Sequence, residues 1–98
     1  MNLKFPLQAR NILRAANKLG VKMKKGDPKT CAIGVLARSH GLATWLETND
    51  IAEILNIPEK DLNGLEYGFE SWEFDEYKHN PVYYKVGQNL RKKVLTKS

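Results

Sequence analysis

The sequence predicts an all-α fold: a small single domain over residues 1–98, a bundle of about five helices. Three observations predict it. Apolar residues recur at three- and four-residue steps through most of the chain, the spacing of one helical face. Asp27-Pro28 and Asn80-Pro81 each place a capping residue before a proline, the pairing that opens helices. Alternating runs of β-branched and polar residues, which would mark strands, are poor throughout. A chain of 98 residues suffices for one modest core, and 42% apolar with 28% charged residues is ordinary for a globular chain.

The first helix is expected over 6–19. Phe5, Ala9, Ile12, Leu13, Ala16 and Leu19 form its inner face, Pro6 suits its first turn, and Gly20 suits the left-handed position past its end. Arg10, Arg14 and Lys18, four apart, form a basic outer face. The stretch from Val21 to Lys25 reads as a linker with Val21 and Met23 tucked in. A second helix is expected over 28–40, capped by Asp27 and ended by Gly41. Its centre, CAIGVLA, is apolar nearly all round, so it should be the buried central helix. Trp45 and Leu46 are expected to cover the core. A third helix is read over 50–56, where Asp50 and Glu53 have capping-box spacing, and a fourth over 58–68 with Leu62 and Leu65 inward. The last, over 81–95, has Tyr83, Val86, Leu90 and Val94 as its inner stripe. Gly34 and Gly87 interrupt the second and fifth helices, and a close crossing between those two helices would explain both.

The segment DIAEILNIPEKDLNGLEYG, Asp50 to Gly68, resembles the two central helices of Cro- and lambda-repressor-like helix-turn-helix domains. Ile51 and Ala52 stand at the early positions, and Leu55-Asn56-Ile57 stands at the turn with Asn for the usual Gly. Leu62 and Leu65 take the inward places, and Glu66 and Gly68 close the second helix. The resemblance implies a helix pair packed at a steep angle, with Glu59, Lys60, Asp61 and Asn63 at the positions that would face a DNA groove. Those positions depart from the family's habit. The segment holds five acids and one base. Phosphate contacts supply much of the affinity for DNA, so such a helix is repelled by the groove it should enter.

Charge is sorted along the chain. Residues 1–45 carry nine bases and one acid, 46–77 ten acids and one base, and 78–98 six bases and no acid, giving a net of +5. Seven of the nine aromatic residues fall within 67–84, among them those of the run FESWEFDEY. Rings supply contact area and carboxylates steer a basic partner, so Glu70, Trp72, Glu73, Phe74, Asp75, Glu76 and Tyr77 form a candidate protein-docking patch. Arg10, Arg14, Lys18, Lys85, Arg91 and Lys92 form a candidate surface for nucleic acid or another anion, provided the first and last helices lie side by side. No aromatic residue is interleaved with these bases in the sequence, so base stacking is not indicated.

No catalytic signature is present. Cys31 reads as a small core residue; His40, nine residues on, lies half a revolution round the same helix, and Cys31, His40 and His79 lack zinc-site spacing. No phosphate-binding glycine loop, serine elbow or HExxH pattern occurs, and no cofactor or metal is expected. No apolar run reaches the ~20 residues of a membrane span. MNLKFPLQAR lacks a signal-peptide pattern, and a single cysteine forms no internal disulfide, so the expected place is the cytoplasm. The sequence thus reads as a non-catalytic regulatory or adaptor module. It would bind a protein through the acidic-aromatic patch, with nucleic acid or self-association open to its charged faces. The rival is a DNA-binding regulator with phosphate contacts from the flanking basic helices.

Overall fold

The computed structural model describes residues 1–96, and within them all regular secondary structure is helical. The five helices are α1 (Ala9–Leu19), α2 (Ala32–Ser39), α3 (Thr48–Ile54), α4 (Glu59–Glu70) and α5 (Pro81–Thr96). α2 is the central element, with Ala32 to Ala37 all buried. The core it belongs to also takes Ile12 and Ala16 of α1, Ile51 and Leu55 from the α3 region, and Leu62, Leu65 and Phe69 of α4.

Several local rules act as the sequence implies. Gly20 is left-handed at φ 70° and closes α1, and Gly41 takes the same conformation past α2. Asn80 caps α5 by accepting the Val82 N–H at 3.0 Å. Asn80 also donates its amide to the Asp61 carboxylate at 2.8 Å, and its own N–H to the Lys60 carbonyl at 2.9 Å. The start of α5 is therefore clasped to the first turn of α4. Asn56 is left-handed at φ 57°, a conformation that asparagine tolerates better than most residues with a Cβ.

Four expectations are corrected. α1 opens at Ala9, because Pro6 and Gln8 form a separate turn in which the Gln8 N–H donates to the Pro6 carbonyl. α2 opens at Ala32 and not at residue 28. Asp27 instead closes its own turn: its carboxylate accepts the Lys29 N–H, and its carbonyl accepts those of Thr30 and Cys31. Cys31 is then the helix cap, its Sγ accepting the Gly34 N–H at 3.4 Å. The box that opens α3 uses Glu47 and Asp50, three residues before the expected pair. Trp45 does not cover the core; it is 82% exposed.

Gly87 does mark a close helix crossing, but α5 crosses α4 there and not α2. α4 and α5 make the most extensive helix–helix contact of the fold. A Cβ on Gly64 would come within 2.7 Å of the Asn80 carbonyl, and one on Gly68 would strike the Tyr84 carbonyl. A Cβ on Gly87 would come within 2.6 Å of the Phe69 nitrogen and strike the Leu65 carbonyl. Gly34 plays no part; its crowding comes from the Pro28–Lys29 turn folded over the start of α2.

Candidate functional site

The acidic-aromatic run occupies the connection between α4 and α5. Ser71 ends α4 in a left-handed conformation, φ 60°, and the Trp72 N–H returns to the Tyr67 carbonyl at 2.9 Å. The chain then forms a second closed turn. The Asp75 carboxylate accepts the Tyr77 N–H at 2.8 Å, its carbonyl accepts the His79 N–H at 2.8 Å, and its own N–H donates to His79 Nδ1 at 2.9 Å. The Tyr84 hydroxyl, on α5, donates to the Trp72 carbonyl at 2.5 Å. Both ends of the loop are thereby fixed to the helices that flank it.

His79 is the centre of this device. It is 2% exposed, with the Tyr67 ring 4.0 Å away and those of Phe74 and Tyr84 at 6.0 and 6.4 Å. Trp72 packs edge-on to Tyr67, and Phe74 edge-on to Tyr84, each at 5.0 Å. Burial lowers the His79 pKa, with Lys78 adding to the effect and Asp75 opposing it. Neutral His79 keeps Nδ1 free to accept the Asp75 N–H. The sequence reading left His79 without a role, and only its proximity to seven rings hinted at one.

The predicted docking residues divide. Tyr77 is 81% exposed, Trp72 44% and Phe74 38%. Glu73 and Glu76 are exposed, and Asp75 is half-buried in its own turn. Glu70 leaves the set: it is 5% exposed, and both its oxygens accept the Gly26 N–H. It fastens the 24–30 loop to α4 and offers nothing to a partner. Burial raises the pKa of the neighbouring Glu66, opposed by a Thr48 hydrogen bond and aided by the Glu70 charge.

The predicted basic residues do not gather on one face. Arg14 and Lys18 line a groove between α1 and α2, together with Lys4, Phe5 and Arg38. Arg91 lies over the Phe69 ring at 5.8 Å and lines a different groove, between α1 and α5, with Lys22, Lys24 and Lys25. Lys85 and Lys92, seven residues apart, share the outer face of α5, turned away from Gly87 and Leu90. Arg10 is exposed on α1. Sequence reasoning missed Lys4, Phe5 and Arg38 as groove residues: His40 holds the first two there, and Arg38 donates to the Lys29 carbonyl. His40 is buried, donates from Nδ1 to the Leu36 carbonyl at 2.8 Å, and accepts the Lys4 N–H at Nε2 at 2.9 Å. The Phe5 ring packs on the imidazole at 5.5 Å.

Of the positions at issue in the helix-turn-helix resemblance, Glu59 and Lys60 are exposed and Asn63 is half-buried. Asp61 spends one carboxylate oxygen on Asn80, and Gly64 faces the Asn80 backbone.

No protein-family model, curated protein or solved structure matches this chain.

The chemistry of Cys31 follows from its setting. Burial raises its thiol pKa, opposed by hydrogen bonds from the Gly34 and Ile33 backbone and aided by the Glu70 and Glu66 charges. That is the opposite of nucleophile activation. No group of three or more His, Cys, Asp or Glu side chains disposed to hold a metal ion occurs among the described residues, and no helix among them is long and apolar enough to cross a membrane.

Proposed function

We propose that this chain is a non-catalytic regulatory or adaptor module that docks a protein partner through the 72–77 loop. One observation carries the reading: Tyr77, Trp72 and Phe74 expose ring surface on a loop whose backbone is fixed at both ends. Side chains and loops that order only on binding subtract from affinity, and a loop already held in place avoids most of that loss. Tyrosine and tryptophan are the side chains that most often dominate interfaces. Glu73 and Glu76, exposed beside them, favour a partner with a basic patch and speed the encounter.

Tyr77 is the residue on which to test the reading. Trp72 and Phe74 also pack within the cluster, so their removal confounds docking with folding. A photo-crosslinking amino acid at position 77 should trap one protein in the native cell, identified by mass spectrometry. Exchanging Glu73 and Glu76 for lysine should abolish the crosslink without changing the circular dichroism spectrum. A crosslink unaffected by that charge reversal, or none at all, would remove the loop from the docking role.

A further inference from the structure

We propose that the groove between α1 and α2 binds single-stranded nucleic acid, with its cations on the phosphodiester backbone and Phe5 as a platform for a base. This goes beyond protein docking and uses a separate surface.

The groove has cations on both walls. Arg14 and Lys18 stand one helical turn apart on α1, while Lys4 and Arg38 stand opposite, from the segment before α1 and from α2. No carboxylate lines it among the described residues. Two of the four cations, Arg38 and Lys4, have backbone partners. Arg38 donates from Nη1 to the Lys29 carbonyl at 3.2 Å, one of the five N–H donors of a guanidinium, and Lys4 Nζ lies 3.5 Å from the Ser39 carbonyl. The four residues come from three parts of the chain and line one groove.

The ring is the second observation. Phe5 lines the same groove, half-buried, with its ring tilted against His40 at 5.5 Å. A positive groove that tracks a backbone, with an aromatic side chain for stacking, is the arrangement of single-strand binders. The sequence conceals it, because Phe5 reads there as the inner face of the first helix. The ring favours a strand over a duplex: stacking on Phe5 needs an unpaired base, which a single strand offers and a double helix keeps within its own stack.

The test is fluorescence anisotropy of the intact chain with a labelled oligothymidylate and with an oligouridylate, which separates DNA from RNA. Binding at low salt should weaken with a log–log slope of about −2 to −3, from roughly −0.7 per neutralised phosphate on a single strand. Arg14→Glu with Lys18→Glu should lower affinity more than about tenfold and flatten the slope. Lys85→Glu with Lys92→Glu changes the net charge equally on the outer face of α5 and should leave most of the affinity intact. Phe5→Leu should weaken binding about tenfold at unchanged slope, and Phe5→Trp should restore it. Tyr77→Ala should bind as the parent does, so failure of the docking reading would not disturb this one. Four results would each overturn the proposal: no binding at low salt, equal loss from the two charge-reversal pairs, duplex binding as tight as single-strand binding, or equal competition by polyglutamate. The last would make the groove a site for acidic protein.

Discussion

The Glu70 carboxylate, at the end of α4, accepts the Gly26 backbone N–H with both oxygens, at 2.7 and 3.0 Å, across 44 residues of sequence. This bond ties the loop between α1 and α2 to the helix that launches the docking loop. It also removes from the acidic patch the one carboxylate that a partner cannot reach.

Removing that carboxylate should cost the fold and spare docking. A hydrogen bond to a charged acceptor contributes about 1.5–3 kcal/mol, so Glu70→Ala should destabilise by about that much in chemical denaturation. Glu70→Gln keeps an oxygen acceptor and should recover about half of the loss. Glu73→Gln, on the exposed loop, should lie within about 0.5 kcal/mol of the parent.

The α4–α5 crossing should tolerate no Cβ. In an open helix, glycine to alanine stabilises by up to about 1 kcal/mol. At Gly68 and Gly87 the new methyl meets backbone atoms of the other helix, which cannot rotate aside. Gly68→Ala and Gly87→Ala should therefore each destabilise by about 1–3 kcal/mol or more, measured as a lowered denaturation midpoint. An unchanged or raised midpoint would mean that the helices lie further apart than described.

Stability should depend on pH through His79. Its folded pKa is lowered from 6.5, chiefly by burial among Tyr67, Phe74 and Tyr84, with Lys78 adding and Asp75 opposing. The unfolded chain takes up the proton first, so the contribution is fully present above about pH 6.5 and is lost as pH falls towards the folded value. Glu66 acts in the opposite sense. Its folded pKa is raised from 4.5, so its contribution is fully present below about pH 4.5 and is lost as pH rises through the folded value. The difference between parent and His79→Asn isolates the histidine from Glu66. Asparagine Oδ1 can replace Nδ1 as acceptor for Asp75 and does not titrate. Thermal midpoints should fall between pH 7 and pH 5 more steeply in the parent than in His79→Asn.

Cys31 should behave as a structural thiol. Burial raises its pKa, and its sulfur is occupied in capping α2. A maleimide reagent should label it slowly at neutral pH in the folded chain and rapidly in denaturant. Serine is a stronger cap than cysteine, so Cys31→Ser should raise stability by about 0.5–1 kcal/mol. Rapid labelling of the folded chain would reopen a chemical role for this residue.

The sequence by itself determined the five helices, the buried α2, the glycine at the end of α1 and the asparagine cap of α5. Each is a local matter: the periodicity of apolar residues sets which face turns inward, and neighbouring dihedral preferences set where helices start and stop. The same locality explains the error at Asp27-Pro28, where a cap and a proline serve a closed turn as well as they serve a helix. Only the tertiary structure decided which polar group meets which. Glu70 and Gly26, His40 and Lys4, and Asn80 and Asp61 are each brought together by the stacking of helices, which no spacing along the chain specifies. It also decided that Gly68 and Gly87 cross, that Arg91 parts from Lys85 and Lys92, and that Phe5 joins four cations in one groove. Apolar burial is non-directional and tolerates many arrangements of the same amphipathic helices. Buried hydrogen bonds and backbone contact at glycine do not, and they select the arrangement that makes these surfaces.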